Sequence, residues 1–158
     1  MLTAHGVELL VDVRTAPRSR HNPQFNVDAL PESLASVGIG HRHMPGLGGL
    51  RHPRKDSINM AWQNVNFRGY ADYMQTPEFE RNLEELMALD REQRVAIMCA
   101  ESVPWRCHRS LIADALTARG LEVAHIMSAT KANPHKMTSF ARVEDGRVTY
   151  PSESLELF

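Results

Sequence analysis

Eleven residues, Cys99 to Arg109, hold both cysteines of the chain with Glu101, Arg106, His108 and Arg109. Thiols, a carboxylate, an imidazole and guanidinium groups this close together suit proton transfer, thiol chemistry or anion binding. Arg94–Met98 before them reads as a short buried strand, and Ser110–Leu116 after them as a helix. A polar loop between a strand end and a helix N-terminus is where α/β proteins place anion sites and chemistry. Nearby arginines and a helix N-terminus favour the thiolate of Cys99, the form that acts as nucleophile or redox thiol. The plain alternative is a small buried hydrophobe. Glu101 is the acid/base candidate of the segment, and its arginine neighbours would hold it ionised and ion-paired.

Cys99 and Cys107 are far enough along the chain to meet as a reversible disulfide, which needs Cα atoms within about 7 Å. With His108 they also make a partial zinc set that His41 and His43, on one face of a strand, would complete. No spacing sets that geometry, and no metal is assigned. A cysteine-phosphatase loop does not fit: Arg106 follows Cys99 one residue too late, and the loop lacks glycines.

A second group surrounds Asp12. This carboxylate ends the apolar run Val7–Val13 and either handles protons or holds Arg14. Arg14, Arg18 and Arg20 form one basic cluster, and Arg51, Arg54 and Lys55 another. Their forks suit phosphate or carboxylate. His43 lies near the end of a further strand, and Tyr70 could stack on a base or sugar, whereas Tyr73 reads as packing. Gly46-Leu-Gly-Gly49 lacks the spacing of a nucleotide fingerprint and reads as a hinge.

The elements that must position these residues alternate between strand and helix. Val7–Val13 and the more polar Ile39–Met44 read as strands. A helix is expected from Asp28 to Val37, capped by Asp28 and stopped by Gly38. Thr76-Pro77-Glu78 starts another, with Phe79, Leu83, Leu86 and Met87 as its apolar stripe. A third runs from about Pro104 to Arg119, stopped by Gly120. Leu121–Met127 reads as one more strand, and Phe140–Tyr150 as a hairpin turned at Asp145-Gly146. Pro45 to Phe67 is a long loop with some helix near Ile58–Val65, of a length that is usually functional. The expected class is α/β: a single domain over residues 1–158, three layers (α/β/α), a Rossmann-like mainly parallel sheet and a C-terminal β-hairpin. Asp12, Arg14, His41, His43, Cys99, Glu101, His125 and Ser128 would then share the C-terminal edge of the sheet.

The chain has 158 residues and a formal net charge of −1, which gives no global attraction to nucleic acid or membrane. Val13 to Arg68 carries eight Lys+Arg against three Asp+Glu, so +5, and the rest −6. That asymmetry marks either a face for anionic ligands or solvated loops. Two cysteines do not make a secreted disulfide scaffold. With neither a signal peptide nor an apolar run of the ~20 residues that span a bilayer, the expected place is the cytoplasm, with no membrane partner.

Val11-Asp-Val-Arg14, Pro17-Arg-Ser-Arg20, Asn22-Pro-Gln-Phe25, Gly40–Pro45, Leu47-Gly-Gly49, Gly69–Met74, Met98–Glu101 and Cys107-His-Arg-Ser110, in this order, resemble domain-of-unknown-function family 488. The resemblance covers nearly the whole chain. It implies a compact α/β domain with a Rossmann-like sheet and no particular activity. Members usually begin with a Thr-Ile-Gly-His-Ser strand and a full helix before the position of Leu2. Here Leu2–Gly6 reads as the last turn of such a helix. A sheet edge left uncovered by that strand would invite self-association into a homo-oligomer.

The function expected from the residues is an enzyme-like domain that binds a phosphate-bearing or nucleotide-derived ligand at the C-terminal edge of the sheet. Cys99, Glu101 and Asp12 would do its chemistry. Arg14, Arg18, Arg20, His43, Tyr70, Cys107, His108 and Arg109 would bind the ligand. The alternatives are a non-catalytic module for nucleic acid or protein, and a thiol-redox or metal site at Cys99, Cys107 and His108. No cofactor is assigned.

Overall fold

The computed structural model describes residues 1–15, 24, 26, 28–99 and 107–152. Its centre is a three-stranded parallel sheet of β1 (Leu9–Asp12), β2 (Gly40–His43) and β3 (Val95–Met98), in the order β2-β1-β3. Leu9 pairs with Gly40 on one side and Val95 on the other; Asp12 pairs with His43 and Met98. All four β1 residues are buried. Successive side chains point to opposite faces, so the strand feeds two apolar clusters. Leu9 and Val11 pack with residues of α2 (Val65–Tyr73), α3 (Pro77–Glu92) and α4 (Arg109–Ala118). Leu10 packs with Leu30 and Leu34 of α1 (Leu30–Ala35).

Local signals set several boundaries. The Thr76 hydroxyl accepts from the Phe79 amide at 3.3 Å, Pro77 opens α3, and Phe79, Leu83 and Leu86 are buried. Asp145 and Gly146 both have positive φ (51° and 77°), which a two-residue turn between β6 (Arg142–Glu144) and β7 (Arg147–Thr149) requires.

Four expectations change. α1 is capped at Ala29 without a side-chain bond, so Asp28 is not its cap. In the long loop Pro45–Leu47 forms a short 3-10 helix, and α-helix starts at Val65, where the Asn64 side chain caps it by accepting from the Asn66 and Phe67 amides. Pro104, the expected start of the third helix, lies outside the described residues, and α4 begins at Arg109. The Leu121–Met127 segment yields β4 (Ala124–Ile126), which pairs antiparallel with β5 (Ala132–Pro134) instead of joining the parallel sheet. His125 and Ser128 therefore do not extend the edge formed by β1, β2 and β3.

The long loop is tied down by the Asp72 carboxylate, which is 6% exposed. It accepts from the Arg54 amide (2.8 Å), the Ser57 hydroxyl (2.6 Å) and the Asn59 side-chain amide (2.8 Å). Buried Asn59 in turn accepts from the Tyr150 amide at 2.8 Å, joining the loop to the end of β7. Trp62 fills the space beside them, edge-on to Phe67, Phe140 and Tyr150. A buried polar group stripped of its partner costs more than the bond itself contributed. Asn59→Ala is therefore expected to lower unfolding stability by about 1–3 kcal/mol, read as a shift of the urea midpoint with unchanged slope.

Candidate functional site

The C-terminal edge of the parallel sheet is organised by Asp12 and Arg14. Asp12 has no solvent exposure and Arg14 is 8% exposed. Arg14 Nε donates to Oδ1 at 2.9 Å and to Oδ2 at 3.1 Å, its Nη2 donates to Oδ2 at 2.6 Å, and its amide donates to Oδ1 at 3.0 Å. This fork–carboxylate pair is the strong form of an ion pair. It leaves Asp12 compensated by a buried partner, a firm anchor for the strand end.

The carbonyls beside this pair collect two histidines. His43 reaches the Arg14 carbonyl at 2.7 Å, and His108 the Val13 carbonyl at 3.2 Å. A carbonyl only accepts, so each imidazole donates through Nε2. The other ring nitrogen of His108, Nδ1, lies 3.5 Å from the Cys107 sulfur. Burial is the main force that lowers the His108 pKa to about 4, so the ring is neutral. It can orient a Cys107 thiol but cannot form a thiolate–imidazolium pair at neutral pH. The group that favours thiolate is the Arg109 amide, which donates to the Cys107 sulfur at 3.4 Å at the start of α4.

Cys99, just past β3, is partly buried against the main core, and its sulfur is joined to that of Cys107, with the Cα atoms 7.3 Å apart. The glycine loop lies against His108 and Thr15. A Cβ on Gly49 would sit 2.5 Å from His108 Nδ1, and one on Gly48 would collide with the Thr15 hydroxyl. Only glycine allows this backbone to lie so close. The loop reads as a hinge in the sequence, yet it is pinned here. Tyr70 donates to the Leu47 carbonyl at 2.9 Å and Tyr73 to the Gly46 carbonyl at 2.5 Å. The Arg51 guanidinium stacks 3.6 Å over the Tyr73 ring. Burial raises the pKa of both tyrosines.

The structure thus brings Asp12, Arg14, His43, Cys99, Cys107 and His108 to one edge, with Arg109 opening the adjacent helix. Tyr70 is placed beneath this group, fully buried and 4.9 Å from the His108 ring, with its hydroxyl engaged. Glu101, Arg18 and Arg20 lie outside the described residues. Much of the positive charge of the segment from Val13 to Arg68 is paired: Arg14 with Asp12, Arg42 with Glu85 and Arg54 with Asp56. Among the described residues no group of three His, Cys, Asp or Glu side chains is placed to hold a metal ion. No helix among them is long and apolar enough to cross a membrane.

Sequence reasoning missed Asp114, His135 and Tyr150. Asp114 is fully buried and bonded to both of the others. Its signal is visible in retrospect: Leu111-Ile-Ala-Asp-Ala-Leu116 places one carboxylate inside an apolar run. Its partners had no such signal, being brought to it only by tertiary structure.

Among known proteins, the family model described as Domain of unknown function DUF488 matches residues 1–116. No curated protein and no solved structure matches the chain.

Two outcomes follow from the geometry. Arg14→Met leaves a buried carboxylate uncompensated, and a loss of about 3–5 kcal/mol in denaturant unfolding is expected. The second concerns pH. Unfolded His108 protonates at the ordinary 6.5, whereas the folded residue resists until about 4. The unfolded chain therefore binds more protons in that window, and stability falls as pH drops from 6.5 toward 4. The loss attributable to His108 is about 3 kcal/mol. Urea midpoints measured across this window should slope less in His108→Gln, with a residual slope from His41 and His125, whose pKa values burial also lowers.

Proposed function

We propose that this chain, which belongs to the DUF488 family, is an enzyme-like domain that performs thiol chemistry on a small anionic ligand at the C-terminal edge of its sheet. The observation that carries this reading is the meeting of the Cys99 and Cys107 sulfurs beside the Arg109 amide at the start of α4. The two thiols exchange with an external disulfide. Each step passes one sulfur–sulfur bond inward, and the sum yields the Cys99–Cys107 disulfide and two reduced external thiols. His108 accepts a hydrogen bond from the Cys107 thiol, and the helix N-terminus favours the thiolate that attacks.

The ligand is phosphate-bearing or nucleotide-derived, held by the first turn of α4 and Arg109, with Arg18 and Arg20 as further contributors and Glu101 as the group that handles protons. The ion pairs of Arg14, Arg42 and Arg54 favour a small anion over a nucleic acid, which needs many unpaired cations along one face. In the same reading α1 and the α3–α4 pair form the outer layers of a Rossmann-like domain. A reducing cytoplasm would keep the cysteines as thiols between turnovers.

Maleimide labelling read by mass spectrometry tests the thiol part. After glutathione disulfide, both cysteines should resist labelling, and after dithiothreitol both should react. Labelling of both after oxidation overturns the reading. For the anion, inorganic phosphate titrated into the reduced protein should shift the Arg109 and Ser110 amide resonances saturably; unmoved resonances remove the ligand assignment.

A further inference from the structure

Asp114 sits mid-helix in α4 with no solvent exposure. Its carboxylate accepts four hydrogen bonds. Oδ2 takes the Tyr150 hydroxyl at 2.7 Å and the Thr138 hydroxyl at 2.6 Å; Oδ1 takes the Thr138 amide at 3.1 Å and His135 Nε2 at 2.7 Å. An ionised carboxylate only accepts, so His135 carries its proton on Nε2. The other nitrogen, Nδ1, lies 2.8 Å from His125 Nε2. In a neutral His135, Nδ1 accepts, so His125 must donate through Nε2. Nδ1 of His125 is then left as a bare base.

The same ordering of tautomers through a buried carboxylate prepares imidazoles for proton transfer in enzymes. Burial is the main cause that lowers the His125 pKa, followed by His135 and Arg109, so the ring is neutral at pH 7. Tyr150 stays a hydroxyl donor, since burial and Asp114 push its pKa far up.

His125 lines a cavity of about 410 Å³ between β3 and β4. The cavity exists because β4 hydrogen-bonds to β5 rather than to β3. Leu10, Leu86, Ile97, Leu116 and Val123 supply apolar wall. Among the described residues its charged groups are Asp90, Glu122, Arg109 and the amino group of Met1, so with His125 neutral the lining carries no net positive charge. That balance disfavours an anion and suits a neutral molecule.

We propose that this cavity binds a small, neutral, apolar molecule bearing a hydroxyl, of the phenol or hydrophobic alcohol class, whose O–H donates to Nδ1 of His125. The Asp114–His135 pair keeps that nitrogen an acceptor, making both positioning residues. The cavity shares Arg109 with the cysteine edge, but binding there does not depend on thiol chemistry.

The probes are 2-naphthol and naphthalene, which differ by one hydroxyl, compared by titration calorimetry at pH 7 against the full chain. One buried hydrogen bond corresponds to about tenfold tighter binding of 2-naphthol. His125→Phe keeps an aromatic ring at the cavity wall and should bind both probes equally. Equal affinity in the wild-type protein, or no binding of 2-naphthol, overturns the proposal. Nitrogen-detected histidine spectra of the wild-type protein give a second reading that needs no variant. His125 should show a bare Nδ1 whose resonance moves on 2-naphthol addition, and a protonated or unresponsive Nδ1 overturns the assignment. A purely structural role for the relay would leave that resonance and the hydroxyl preference unmoved.

Discussion

A carboxylate with no solvent exposure stands at the end of the central strand, and the C-terminal edge is arranged around its charge. Asp12 is compensated by the Arg14 fork, two residues on. The Val13 and Arg14 carbonyls lie beside this pair in the chain. Those carbonyls collect His108 from α4 and His43 from β2. The ion pair therefore does more than neutralise a charge. It stands beside both histidines, and His108 in turn lies against the glycine loop and Cys107.

Two other buried carboxylates do comparable work with different partners. Asp72 holds the long loop through an amide, a hydroxyl and Asn59. Asp114 holds the segment around His135 and Thr138, as well as Tyr150, using neutral donors and one imidazole. Buried charges are tolerated only when paired or fully hydrogen-bonded. In a domain whose parallel sheet has three strands, these carboxylates fasten loops and termini that apolar packing alone would hold loosely. The Asp114 cluster differs in joining two imidazoles, the outer of which, His125, lines a cavity.

How much was legible depends on the range of each interaction. Caps and stops were readable because they involve neighbours within one turn: Thr76 with Phe79, Gly38 and Gly120 with positive φ, and the Asp145-Gly146 turn. β1 was readable because burial on both faces leaves an uninterrupted apolar run. The destination of β4 was not. Its three residues pair with Ala132–Pro134, a segment without apolar alternation, and the choice between that partner and β3 is made by long-range packing. The candidate site shows the same division. Asp12 with Arg14 and Cys107 with His108 are sequence neighbours, whereas His125, His135 and Asp114 carry no shared pattern.

The sequence by itself determined the α/β alternation, the family and the strand-end position of Asp12. These follow from short-range periodicity and local chain geometry, which survive outside any particular fold. Tertiary structure alone decided that Asp12 is spent on Arg14, that the glycine loop lies pinned against His108, that β4 leaves the parallel sheet, and that Asp114 meets His135. Each of those outcomes depends on which groups lose water together. Desolvation is a property of the assembled neighbourhood and is not written at any single position of the chain.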